Sequence, residues 1–194
     1  PWEENFDHSP VSTCWILPSG VTMTTSSSYA NSGTGVLQFA TSEQVVAVLP
    51  DFGDLNGKRM SFTYRAEGSG YNSSMGFIKA GYLPDPTDIS TFVVLEDFSE
   101  HVYQHTPATI EFGTNVPAGA RAAILYYGAT SSSWYLFMDD FVVEAIPTCE
   151  KPGAATVEAV SAERIKVTIT DNDADHTAWQ VIAGAAGFDK DAAT

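Results

Sequence analysis

The feature that most constrains this 194-residue chain is a hydrophobic alternation of period two, repeated along its first three-quarters and punctuated by glycine, proline and serine. In Lys58–Ala66 the residues Met60, Phe62, Tyr64 and Ala66 fall on one parity, while Arg59, Ser61, Thr63 and Arg65 fall on the other. Successive side chains of an extended backbone point to opposite faces, so this pattern predicts a strand with one buried face. Val36–Ala40, Met75–Tyr82, Thr91–Glu96, Thr109–Phe112, Ala120–Tyr127 and Trp134–Ala145 are further strand candidates. Gln44–Leu49 is apolar on both parities and reads as a central strand. Breakers such as Asn31-Ser32-Gly33-Thr34-Gly35, Asn56-Gly57, Asp85-Pro86 and Pro117-Ala118-Gly119 separate them. Short strands at this spacing imply an all-β sandwich or barrel rather than βαβ units.

A boundary is expected at Ala145–Pro152, where Pro147 and Pro152 remove ladder donors. The chain thus divides into residues 1–147 and 148–194. The second segment holds three more candidates, Ala155–Val160, Arg164–Thr170 and Ala178–Ala183, too few for a complete seven-stranded sandwich. A partial sandwich leaves an apolar face and an edge unpaired, so self-association through it is an expectation.

Composition narrows the partners. Hydrophobic residues make up 44% of the chain, enough for a core. Asp and Glu outnumber Lys and Arg by 24 to 9, a formal charge of −15. That field disfavours nucleic acid and anionic membranes and attracts divalent cations. The longest apolar runs have the length of a strand, so no membrane insertion is expected. The start, Pro1-Trp2-Glu3-Glu4, shows no signal-peptide pattern, and localisation is not legible there. Cys14 and Cys149 permit one disulfide without demanding it.

Several segments together resemble the MAM-like jelly-roll domains of bacterial surface proteins, of the choice-of-anchor J or cleaved-adhesin type. They are Phe6-Asp7 with Cys14-Trp15, the glycine-rich approach Asn31–Phe39, Gly81–Phe92 with its Asp85-Pro86-Thr87-Asp88-Ile89-Ser90-Thr91-Phe92 run, and Trp134–Val143. Cys149-Glu150-Lys151-Pro152 and Trp179–Phe188 resemble the opening half of a fibronectin type III domain, without the tryptophan often found on its second strand. The resemblance implies a jelly-roll β-sandwich followed by a partial fibronectin/Ig-like sandwich. It also implies a secreted or cell-surface location and a role in adhesion or recognition, with a glycan or an extracellular protein as partner. A passive spacer beside a catalytic domain elsewhere in a longer protein is the alternative.

Related jelly rolls hold one structural Ca²⁺ between the first strand, a glycine-rich turn and the last strand. The matching positions are Glu4 or Asp7, backbone carbonyls around Asn31 to Gly33, and Asp139 or Asp140. Carboxylates mixed with carbonyls supply the six to eight oxygens calcium takes. Strand alternation sends Asp139 and Asp140 to opposite faces, so one of them is expected to face the metal. The bland alternative is a solvated acidic edge. Asp171-Asn172-Asp173-Ala174-Asp175 has the spacing of a calcium-loop start, but His176 and Ile182 stand where glycine and glutamate are needed, so it reads as a polar turn.

For ligand binding, Trp134 and Tyr71 beside Ser/Gly-rich turns are the aromatics expected to be exposed. One of Tyr126 and Tyr127 should point inward. No catalytic residues are expected: His101 and His105 lack a zinc-protease glutamate, and nothing singles out Glu96, Asp97 and Glu100 as a hydrolytic pair.

Overall fold

A computed structural model describes residues 1–8, 14–67, 76–100, 102–127, 135–147, 155–161 and 164–169. The chain forms two compact units, Pro1–Ile146 and Pro147–Thr194.

The described part of the first unit contains ten strands: β1 (Trp2–Glu4), β2 (Val21–Thr25), β3 (Gly35–Phe39), β4 (Val45–Val48), β5 (Lys58–Glu67), β6 (Phe77–Leu83), β7 (Val93–Phe98), β8 (Thr106–Glu111), β9 (Arg121–Tyr127) and β10 (Tyr135–Ala145). A 3₁₀ turn, Ile89–Thr91, precedes β7, with the Asp88 side chain accepting from the Ser90 N–H as its cap. The strands form two antiparallel sheets. One has the order β2-β3-β10-β5-β8, with β1 joining β10, and the other has the order β4-β9-β6-β7. This is a jelly-roll β-sandwich.

The alternation in β5 is realised as read. Met60, Phe62, Tyr64 and Ala66 are buried, and the intervening residues lie on the outer face. Met60, Phe62 and Tyr64 meet Ala122, Ile124 and Tyr126 of β9 and Ile78 and Ala80 of β6 in a single core. Phe62 stacks on Phe141 at 5.5 Å, and Phe98 meets it edge-on at 5.7 Å. Removing apolar area of this kind from water is the main force holding the sheets together, at about 25 cal/mol per Å².

Three departures from the sequence reading have physical causes. β4 lies at one end of its sheet rather than at the centre. Its apolarity on both parities arises because both faces are covered: Ala47 packs in the core, while Val46 and Val48 join Leu83, Ala123 and Leu125 in a second apolar cluster on the outer face. β8 begins at Thr106 and runs through Pro107, which an edge strand tolerates because no neighbour needs its missing N–H. The period-two pattern missed β1, which only the resemblance implied, and β2; the first is too short to show a period, and the second is mostly threonine.

In the second unit the described residues form an antiparallel pair, β11 (Ala155–Ser161) and β12 (Arg164–Ile169), in register from Ala155 opposite Ile169. Ala178–Ala183, Trp179–Phe188 and Asp171–Asp175 lie outside the described residues, so the fibronectin resemblance stays an expectation.

Candidate functional site

β10 changes neighbour along its length. On one side it pairs with β5 throughout; on the other, β3 takes Leu136–Met138 and β1 takes Phe141–Val143. At the switch the register with β5 shifts between Asp139 and Val142, and Asp140 adopts a left-handed backbone with φ 51°. Strict alternation therefore fails here. Asp139 and Asp140 reach the same turn instead of opposite faces, because the bulge adds a residue and re-aims both side chains.

That turn is Asn31–Thr34. The fully buried Asp139 accepts from the backbone N–H groups of Asn31 at 2.7 Å and Ser32 at 3.1 Å with Oδ2, and from Asp140 N–H at 2.7 Å with Oδ1. Asp140 accepts from Asn31 Nδ2 at 2.6 Å and from the Ser32 hydroxyl at 2.5 Å. From the other flank, Asp7 Oδ1 accepts from Thr34 N–H at 2.5 Å and Gly35 N–H at 2.8 Å. The approach is close. A Cβ on Gly33, whose φ is +55°, would lie 1.8 Å from Asp7 Oδ2, and one on Gly35 would lie 1.7 Å from the Phe6 carbonyl oxygen. Burial pushes the Asp139 carboxyl up to about 6 despite its N–H partners. Asp7 is held below the usual carboxylate range by the Thr34 and Gly35 N–H groups.

Glu4 is buried on β1; its Oε1 accepts the Phe6 N–H at 2.8 Å and its Oε2 lies 3.5 Å from His8 Nε2. Glu4 and Asp140 share the wall of a cleft of about 290 Å³ with Glu3 and Asn5, and neither Asp7 nor Asp139 lines it. Among the described residues no three His, Cys, Asp or Glu side chains converge as a metal cage. The chemistry of the donor set fits calcium in part. Glu4 and Asp140 bring carboxylates to one cleft, but all four acids already accept hydrogen bonds. Glu4 accepts from the Phe6 N–H, Asp140 from Asn31 Nδ2 and the Ser32 hydroxyl, and Asp7 and Asp139 from the turn's N–H groups. The turn from Asn31 through Gly33 to Gly35 meets these acids mainly through N–H donors.

A second concavity lies on the outer face of the β4-β9-β6-β7 sheet. It is a groove of about 300 Å³. Leu125 and Tyr127 of β9, Lys79 of β6 and Val94 of β7 form its floor and one side. Ile89, Ser90 and Phe92, from the segment around the 3₁₀ turn, form another wall, with Gln44 beside β4. Val46, Val48, Leu83 and Ala123 underlie it as the outer apolar cluster, on which Phe92 and Tyr127 pack. Ile89 and Val94 remain exposed, at 54% and 45%. Beside the groove, outside its lining, Asp97 receives the Tyr127 hydroxyl at 2.6 Å and faces the Lys79 ammonium at 2.9 Å, so it meets two of the lining side chains. The Lys79 ammonium also lies 4.7 Å from the Tyr127 ring centroid. Burial raises the Asp97 pKa, but the Tyr127 O–H and Lys79 outweigh it and hold it below the ordinary value. The Tyr127 hydroxyl is pushed up to about 12, first by burial and then by Asp97. Donor and acceptor are thus fixed at neutral pH.

The groove was not among the sequence-predicted sites. Trp134 and Tyr71 lie outside the described residues, as do Cys149 and His101. Tyr126 is fully buried and Tyr127 faces outward, as alternation requires. The signal available in the sequence was the two-sided apolarity of Val45–Val48 and Ala122–Leu125, which marks an outer face that something covers.

Two antiparallel sheets in this order, with a groove on one outer face and an acidic junction at the other sheet, define the class as a jelly-roll module. Among solved structures, the chain is similar to the K1 cleaved adhesin domain of Lys-gingipain from Porphyromonas gingivalis, with TM-score 0.57 and 13% identity over 75% of this chain and 98% of that one. The K3 cleaved adhesin domain of the same protein gives 0.54 and 16%, over 73% and 95%. The CBM22-1 xylan-binding domain of Xyn10C from Paenibacillus barcinonensis gives 0.52 and 11%, over 76% and 95%. No family model matches the sequence, and no curated protein does. At these identities the likeness is one of fold.

Proposed function

We propose that residues 1–147 are a non-catalytic, extracellular recognition module of a bacterial surface protein, and that the groove beside Tyr127 and Phe92 binds a glycan. The observation that carries this reading is the groove itself: an apolar floor with aromatic rings next to a fixed donor–acceptor pair. Small-ligand sites combine a mostly apolar lining with a few placed polar groups, and sugars present both kinds of surface. The fold shared with a xylan-binding domain and with cleaved adhesin domains supports it. Titration with a glycan array, followed by calorimetry on any hit, tests it. Phe92→Ala and Tyr127→Ala should each weaken binding at least tenfold while the far-ultraviolet spectrum is kept. Binding that survives both substitutions would move the site elsewhere.

Calcium belongs to this proposal as a structural ion in the cleft of Glu4 and Asp140, tying β1 to β10. It takes no part in recognition. Melting curves in calcium and in chelator test it: a higher Tm in calcium, lost in Glu4→Gln with Asp140→Asn, is expected. Superimposable curves would remove the ion. An extracellular protein as the partner, with the second unit mediating self-association, is the reading left if no glycan binds.

A further inference from the structure

We infer that the groove selects neutral glycans and rejects uronic-acid or sulfated ones, reading adjacent hydroxyls side-on through the Lys79–Asp97 pair. The inference rests on the glycan reading of the groove and adds the chemical class. Three observations carry it. Lys79 is the cation on the groove's lining, and its charge is already met by Asp97 at 2.9 Å. An anionic sugar would have to displace that carboxylate to gain the ammonium, leaving Asp97 facing a like charge with only the Tyr127 hydroxyl to satisfy it. The chain's formal charge of −15 adds to the repulsion.

A neutral sugar requires no such exchange. Two neighbouring hydroxyls on a pyranose ring place a donor and an acceptor side by side. One O–H donates to Asp97 while the next oxygen accepts from Lys79, so the ion pair stays intact and gains hydrogen bonds. Hydrogen bonds to charged groups are the stronger kind.

The rings decide how the sugar lies. Tyr127 is engaged by the Lys79 ammonium and by Phe77, whose ring centroid is 5.9 Å away. Its contribution is therefore to orient Asp97 through its hydroxyl. Phe92, packed on the outer apolar cluster and lining the groove, is the ring against which the sugar's C–H face can rest. Tyr127 is on this account a positioning residue, and Lys79 and Asp97 are the specificity-determining ones.

The test is calorimetric titration of the intact chain with xylohexaose, β-1,4-galactotriose and an oligogalacturonate of comparable length. The expected result is binding of at least one neutral oligosaccharide, unchanged by added salt, with the oligogalacturonate about tenfold weaker or silent. Asp97→Asn keeps the side-chain shape and should invert the preference, weakening the neutral ligand and admitting the uronate. Lys79→Met should weaken the neutral ligand without admitting the uronate. Circular dichroism checks that each variant is folded. Tighter, salt-sensitive binding of the oligogalacturonate to the wild type would overturn the inference while leaving the glycan reading intact. Silence towards these three glycans and the whole array, in folded protein, would overturn both.

Discussion

At the scale of single residues, the acidic junction is held by carboxylates acting as acceptors for the N–H groups of one turn. Asp139 satisfies N–H groups from Asn31, Ser32 and Asp140 while fully buried. Asp139→Ala would leave these donors without an acceptor, at about 1–3 kcal/mol for each group that water cannot reach. A drop in chemical-denaturation stability of roughly 3 kcal/mol or more is the expected outcome. The two glycines of the turn are not equivalent. The Cβ of a Gly33→Ala variant meets the end of the Asp7 side chain, which can move, whereas that of Gly35→Ala meets the Phe6 backbone, which cannot. Gly35→Ala should therefore be the more damaging, at about 3 kcal/mol or above. Equal melting temperatures for the two variants would show that β1 yields more readily than its packing suggests.

At the scale of elements, the connection between β2 and β3 behaves as a strap across the outer face of the larger sheet. Tyr29 stacks on Phe137 of β10 with ring centroids 4.4 Å apart, and the Arg65 guanidinium lies 5.5 Å from the Tyr29 centroid. His105 completes the fastening. Its Nε2–H donates to the Tyr29 carbonyl at 2.6 Å, and its Nδ1 lies 3.0 Å from the Thr63 hydroxyl. Burial lowers the His105 pKa and the Arg65 charge adds to it, while the Tyr29 hydrogen bond and Asp140 pull the other way without overcoming them. A histidine lowered in the fold stabilises it most above its unfolded value of 6.5 and loses that contribution as pH falls through the window below. Asp139, raised to about 6 from 3.8, acts in the opposite sense. Its burial as an anion is unfavourable above about 6, and protonation relieves the cost as pH falls towards 3.8. The two effects offset each other in the wild type between pH 7 and pH 5. In Asp139→Asn only the histidine remains, so Tm should fall more steeply with acid than in the wild type. Parallel pH profiles would mean that the fold does not raise the Asp139 pKa.

At the scale of the whole molecule, the first unit has its own core, two complete sheets and both candidate sites. Residues 1–147 expressed alone should therefore unfold in one cooperative transition and keep the glycan affinity of the full chain. Loss of cooperativity on truncation would mean that the second unit supplies part of the stability.

The sequence by itself determined most of the strands, β1 and β2 excepted, with their inward parity and the class of sandwich, because period-two burial is a local property that each segment carries alone. The chain segments of the acidic junction, Asp7, the turn from Asn31 and the Asp139-Asp140 pair, were indicated by the resemblance to jelly-roll domains and not by a local pattern. Tertiary structure alone decided that both aspartates serve one turn, because the bulge arises where β10 exchanges β3 for β1, a pairing no local pattern encodes. It alone assembled the groove too. Lys79, Asp97 and Tyr127 come from three strands, and Phe92 from the turn leading into β7; each looks ordinary in sequence, and only sheet register sets them side by side.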